Sequence, residues 1–204
     1  MAAADSPPHE AWTTAIRVVP GQALADLGAL PEGTLAPLID GEIVMSPSPT
    51  VLHQRIVTRL GRVLGNFAEE HGLGEVFVSP IDVELSESQS FQPDVVFVAR
   101  ERFSILRTHE IKGAPDLVIE VLSPSTGYYD LTKKREVYER TGVKEYWIVD
   151  PERRTVEVLA LEEGSYRTVA EADGEGRVAS RILAGFALEA EALFGGGRQR
   201  RGGV

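Results

Sequence analysis

Apolar and polar positions repeat with two different periods along this chain, and the switches between them mark its elements. The longest helical stretch is predicted from about Val51 to His71. There Leu52, Ile56, Leu60, Val63, Leu64 and Phe67 recur at three- and four-residue spacing, and Gly72 is placed to stop the run. Upstream, Pro20 to Leu30 reads as a short helix, and Leu38 to Met45 as strand, turn and strand, turning at Asp40-Gly41. Downstream, strands are predicted at Glu75 to Ser79, Ile81 to Leu85 and Pro93 to Val98, followed by a connection from Ala99 to Ala114. An apolar strand from Asp116 to Leu122 leads through the turn SPST to a helix from about Leu131 to Thr141. Asp130 stands at the cap of that helix and Gly142 at its end. A strand from Glu145 to Val149, closed by Asp150-Pro151, is followed by the hairpin TVEVLAL–EEGS–YRTVAEA, a strand near Val178 to Leu183 and a short element ending at Phe194.

The strand–helix–strand unit from 116 to 149 predicts a parallel pair joined by a right-handed crossover. The whole predicts a mixed sheet with helices packed on it and extra hairpins, an α/β or α+β fold. One domain is expected over residues 16–194, between a disordered segment at 1–15 and a flexible Gly/Arg tail at 195–204.

Composition narrows the classes. With 204 residues, 43% apolar and 25% charged, the chain can bury a sizeable core. No run approaches the ~18 apolar residues of a membrane span, and the opening MAAADSPPHEAW lacks the basic and apolar regions of a secretory signal. Zero cysteines exclude disulfides, thiolate zinc sites and a cysteine nucleophile. The expectation is a cytoplasmic protein without a membrane partner. The net charge of −10 argues against nonspecific coating of nucleic acid, which rests on cations neutralising phosphates. It leaves room for an enzyme with an acidic, metal-holding centre.

Three ionisable residues stand where burial is costly. Asp94 in QPDVVFV precedes four apolar residues. Glu120 in DLVIEVL has only apolar neighbours within three positions, so neither face of its strand leads to water, and a lone buried carboxylate protonates or needs a cation. Lys134 lies on the inward stripe Leu131, Lys134, Val137 and Tyr138 of its helix. Each has a plain structural reading: a turn residue, a core ion pair, a lysine snorkelling outward. Together they describe two carboxylates and an ammonium at a sheet edge. A hard divalent ion between the carboxylates would relieve their repulsion, and the combination suits metal-assisted phosphodiester hydrolysis.

The segments QPDVVF, APDLVIEVLSPST and DLTKKREVYERTGVKEYWIVDP, with LIDGEIVMSPSP, HQRIVTRL and GLGEVF before them, resemble the Uma-two family of bacterial restriction-endonuclease-like proteins, within the PD-(D/E)XK nuclease superfamily. The resemblance runs from about residue 35 to the C-terminal strands. It implies a restriction-endonuclease-like core, a mixed central sheet flanked by helices, with a Mg²⁺- or Mn²⁺-dependent phosphodiesterase site acting on DNA. It implies Asp94 and Glu120 as metal ligands with the Val121 backbone carbonyl as a further ligand. The superfamily pattern wants lysine two residues after the acid; Leu122 stands there, and Lys134 matches the family's D-L-x-x-K on the helix instead. Glu42 and His53 match family positions as secondary candidates: Glu42 as an added carboxylate or a turn-flanking acid, His53 near phosphate or as a packed helix residue. Asp130 is a helix cap or a partner of Lys134. Tyr138, Tyr146 and Trp147 read as core or cleft wall. A homodimer fits a nuclease that breaks both strands. The rival readings are a noncatalytic nuclease-like binding module and a phosphodiesterase acting on RNA or nucleotides.

Overall fold

The computed structural model describes residues 17–19, 38–39, 42–45, 48–123 and 130–195. Its elements are β1 (Arg17–Val19), β2 (Leu38–Ile39), β3 (Glu42–Met45), α1 (Val51–Glu70), β4 (Gly74–Val78), β5 (Asp82–Ser86), β6 (Gln89–Phe91), β7 (Val95–Ala99), a 3₁₀ turn (Arg100–Ile105), β8 (Glu110–Lys112) and β9 (Leu117–Val121). After these come a π-helical turn (Asp130–Lys134) running into α2 (Arg135–Thr141), then β10 (Glu145–Asp150), β11 (Thr155–Glu162), β12 (Ser165–Asp173), β13 (Arg177–Ala179), β14 (Ala187–Glu189) and α3 (Ala190–Phe194). The expected helix at 20–30, the segment 1–15, most of the SPST turn and the tail beyond 195 lie outside the described residues.

The central sheet has the order β12-β11-β10-β9-β7-β4. β9 and β10 are parallel, as the crossover between them predicts, and every other pair is antiparallel, so the sheet is mixed. A second six-stranded sheet has the order β1-β3-β2-β6-β5-β8. β2 and β3 pair antiparallel, as the strand, turn and strand expected over 38–45 requires; residues 40–41 themselves lie outside the described residues. Two strands, β6 and β8, and the 3₁₀ turn fall in stretches where the pattern of apolar residues predicts only connections. Each of these strands is three residues long, too short to show a period, and each forms by pairing with β5.

α1 begins where Thr50 Oγ1 accepts the His53 N–H at 3.1 Å. Its buried positions are His53, Ile56, Val57, Leu60, Leu64 and Ala68, one stripe of a 3.6-residue helix. That stripe packs on Val95, Phe97, Leu117, Ile119 and Val121 of the central sheet, together with residues of β14 and α3. Full burial of residues such as Ile56, Leu60 and Leu64 contributes about 1.5–3 kcal/mol each. The opposite face of the sheet carries Val118, Tyr146 and Ile148 against α2 and Phe91 of β6, and Val96 and Val98 against Val83 and Ile111 of the second sheet. The central sheet is therefore covered on both faces, which is why β7, β9 and β10 are apolar on both.

Two buried carboxylates pin the end of the sheet where β9 and β10 begin. Glu145 has no exposed surface; Trp147 Nε1 and Ser180 Oγ donate to its Oε1 at 2.7 Å, and the Arg181 backbone N–H donates to Oε2 at 2.6 Å. It ties the segment after β13 to the centre of the sheet. Asp116 precedes β9 and accepts Ala99 N–H at 2.9 Å, Arg102 Nη1 at 3.0 Å and Lys144 Nζ at 2.8 Å. Burial alone would raise its pKa, but the Lys144 ammonium, the Ala99 N–H and the Arg102 guanidinium overcome that and hold it below the ordinary carboxylate value. On the other face, burial and the nearby Glu139 push the Tyr166 phenol up, keeping it a neutral donor to the Val143 carbonyl at 2.9 Å.

A carboxylate with a depressed folded-state pKa stabilises above its unfolded pKa, and that stabilisation is lost as pH falls through the folded value. Asp116→Asn should therefore lower stability by about 2 kcal/mol at pH 7. The gap to wild type should start to close below pH ~4 and vanish in stronger acid. Urea unfolding across pH 2–7 checks this; a constant gap would contradict it.

Candidate active site

The antiparallel register of β7 and β9 sets Val95 opposite Ile119 and Val96 opposite Val118. Continued one pair beyond Val95–Ile119, the same register sets Asp94 opposite Glu120; the Asp94 carboxylate is gripped from the side of α1 and the Glu120 carboxylate from the side of α2. Asp94 keeps its place in the sheet, because its carbonyl accepts the Ser79 N–H at 3.0 Å. The pattern that singled out both acids thus brings them to one end of one strand pair.

Asp94 is held from two sides. Its Oδ2 accepts the Val121 N–H at 2.8 Å and lies 3.2 Å from His53 Nε2. His53 is the third residue of α1, so the capped start of that helix delivers its ring to the carboxylate. His53 is buried, and its neighbour here is Asp94.

Glu120 is held by one helix. Lys134 Nζ lies 2.8 Å from Oε2, and Tyr138 donates its hydroxyl to Oε1 at 2.7 Å. Lys134 and Tyr138 are i and i+4, one helical turn apart, and so reach the same carboxylate. Of the inward stripe predicted for this helix, Val137 and Tyr138 are buried and Lys134 reaches the buried acid, while the side chain of Leu131 lies outside the described residues. The helix start differs: Asp130 is the first residue of the π-turn rather than a cap preceding the helix. The backbone of Gly142, at φ +90°, ends the helix as expected. The side chains of Glu42 and Asp130 lie outside the described residues. Tyr138, expected as core or cleft wall, is both fully buried and in contact with the acid; nothing in its sequence position separates it from an ordinary core aromatic.

The donor set fits a hard divalent ion. The Leu122 N–H is taken by the Val149 carbonyl, so the N–H and C=O of Val121 point the other way, toward β7. Continued by two residues, the register puts Val121 opposite Pro93, which has no N–H to give its carbonyl. That carbonyl and the carboxylates of Asp94 and Glu120 are hard oxygen donors at one sheet end. A carboxylate offers about four lone-pair directions, so Lys134 and Tyr138 do not by themselves exhaust Glu120. Among the described residues no group of three or more His, Cys, Asp or Glu side chains forms a metal cage. Two carboxylates and a carbonyl are nevertheless the sparse set with which Mg²⁺ is held, the remaining positions going to water and phosphate oxygens.

The geometry also defines a buried ion pair whose partners are separable. Removing the ammonium alone leaves an uncompensated carboxylate inside the protein. Lys134→Met should lower stability in EDTA by about 3 kcal/mol, and Glu120→Gln combined with Lys134→Met should recover most of the loss. Denaturant midpoints of the single and double variants measure the coupling; additive losses would show that the two side chains do not support each other.

The family model Uma2, described as "Putative restriction endonuclease", matches residues 24–191. An uncharacterized protein of Synechocystis sp. is 31% identical over 114 residues, 55% of this chain and 64% of that protein, so the match spans just under two thirds of the relative's length. The crystal structure of a "putative nuclease belonging to DUF820" from Anabaena variabilis superposes with a TM-score of 0.71 at 23% identity, covering 84% of this chain and 97% of that one. At that identity the likeness shows the fold: a mixed central sheet flanked by helices.

Proposed function

The chain belongs to the Uma2 family of restriction-endonuclease-like proteins, and from that membership we propose that it is a Mg²⁺- or Mn²⁺-dependent endonuclease hydrolysing phosphodiester bonds in DNA. The observation that carries the proposal is the β7–β9 register, which sets Asp94 opposite Glu120 with the Lys134 ammonium 2.8 Å from the latter. Asp94, Glu120 and the Val121 carbonyl would hold the ion. When bound, such an ion supplies Lewis-acid polarisation of the phosphate and a water of lowered pKa.

The chain's own residues set the geometry around that chemistry. His53 and the Val121 N–H hold Asp94 through Oδ2. Lys134 keeps a positive charge beside Glu120, where it can orient a water or meet the negative charge that develops on the phosphoryl oxygens. Hydrolysis breaks one P–O bond, adds the elements of water, and leaves a phosphate on one strand end and a hydroxyl on the other. The amine sits on a helix, whereas the superfamily pattern places it on the strand at the position of Leu122. Two copies acting on opposing strands would cut a duplex, and sedimentation of the protein with and without DNA tests that arrangement. Among the described residues no helix is long and apolar enough to cross a membrane.

Asp94→Asn and Glu120→Gln should each reduce Mg²⁺-dependent plasmid nicking at least ~10³-fold and abolish Mn²⁺ binding by calorimetry, with circular dichroism unchanged. Lys134→Met should bind Mn²⁺ yet turn over about 10²–10⁴-fold more slowly. Unchanged nicking in either carboxylate variant would remove that residue from the mechanism. Substrate class is tested separately. Cleavage of double-stranded DNA should exceed that of single-stranded DNA, RNA and cyclic nucleotides assayed in parallel, and a preference for RNA would move the protein to another substrate.

A further inference from the structure

We infer that Tyr138 is a positioning residue for the site, fixing the Glu120 carboxylate in the orientation that receives the cation; the inference rests on the metal-dependent reading above. Glu120 is on a strand, where its own backbone sets only the direction of the first bond. Its carboxylate plane is fixed by what grips the two oxygens. Lys134 grips Oε2 through a long flexible stem, which alone would let the plane turn. Tyr138 grips Oε1 at 2.7 Å through a rigid ring.

The ring itself has little freedom. Tyr138 is fully buried, with Phe91 of β6 edge-on at 5.4 Å between centroids and Tyr146 of β10 edge-on at 5.2 Å. The second sheet, the helix and the central sheet therefore meet at one hydroxyl aimed at one carboxylate oxygen. A core aromatic needs no hydroxyl to fill this space. The phenol oxygen finds its acceptor on the residue that the metal reading makes a ligand. Hydrogen-bond partners of ligating carboxylates generally set ligand orientation, and losing one weakens metal binding about 10–100-fold.

The test is Tyr138→Phe, which keeps the ring and removes only the hydroxyl. Calorimetric Mn²⁺ titration should show binding weakened about tenfold or more. The metal concentration for half-maximal nicking should rise by the same factor, whereas kcat at saturating Mn²⁺ and DNA affinity in EDTA should stay within about threefold of wild type. Metal affinity equal to wild type would overturn the inference. So would a variant whose kcat and metal-free DNA affinity fall as much as its metal affinity, because that pattern is general loss of structure. A wild-type protein that binds no Mn²⁺ would instead overturn the metal-dependent reading itself. If Tyr138→Phe does not fold, the wild-type protein labelled with 3-fluorotyrosine gives the answer. Mg²⁺ should shift the ¹⁹F resonance of Tyr138, and an unmoved resonance with bound Mg²⁺ would refute its link to the ligand.

Discussion

A carboxylate placed in the middle strands of a sheet covered on both faces has no water to turn to, and the arrangement around Glu120 follows from that constraint. Leaving such a charge unpaired costs several kcal/mol. The protein meets it with an ammonium and a hydroxyl delivered one turn apart on a single helix. That helix must then lie across the end of β9, and its packing against Phe91 and Tyr146 keeps it there. The second sheet is thereby more than a decoration: Phe91 of β6 is part of what holds the phenol in place.

The same pair of strands carries a second Pro-Asp followed by an apolar run, and the two copies have opposite fates. Pro93-Asp94 leads into β7 and Pro115-Asp116 into β9. Because the strands are antiparallel, the two acids stand at opposite ends of the pair. At one end Asp116 is saturated by a backbone N–H, an arginine and a lysine, and serves stability. At the other, Asp94 is held through Oδ2 beside Glu120. Local sequence cannot tell them apart. The difference comes from which cations the neighbouring segments bring to each end.

That limit describes what the sequence could reveal. α1 and the unit β9–α2–β10 were legible because their periodicity is long and local. Glu120 stood out because it interrupts an apolar run, and Lys134 because it lies on an inward stripe. β6 and β8 were not legible, since a three-residue strand exists only through its partner. Nor were the contacts His53–Asp94 and Tyr138–Glu120, which join residues 41 and 18 positions apart and depend on how helices cross the sheet. Glu145 was missed for a related reason: it begins a strand, where an acid is usually solvated, and only the returning segment at Ser180 and Arg181 closes over it.

The placement of the amine on α2 has a consequence for how this scaffold can vary. On a strand, a lysine two residues beyond the acid is locked to it by the pleat, and a change of spacing by one residue turns it to the other face. Here the acid and the amine belong to separate elements joined by the stretch between Leu122 and Asp130. Position 122 is thereby released to an apolar side chain that packs into the core around Tyr138. The length and composition of that tether can drift without breaking strand register. Its drift would tune how far the amine reaches, giving evolution an adjustable joint where the strand arrangement offers a fixed one.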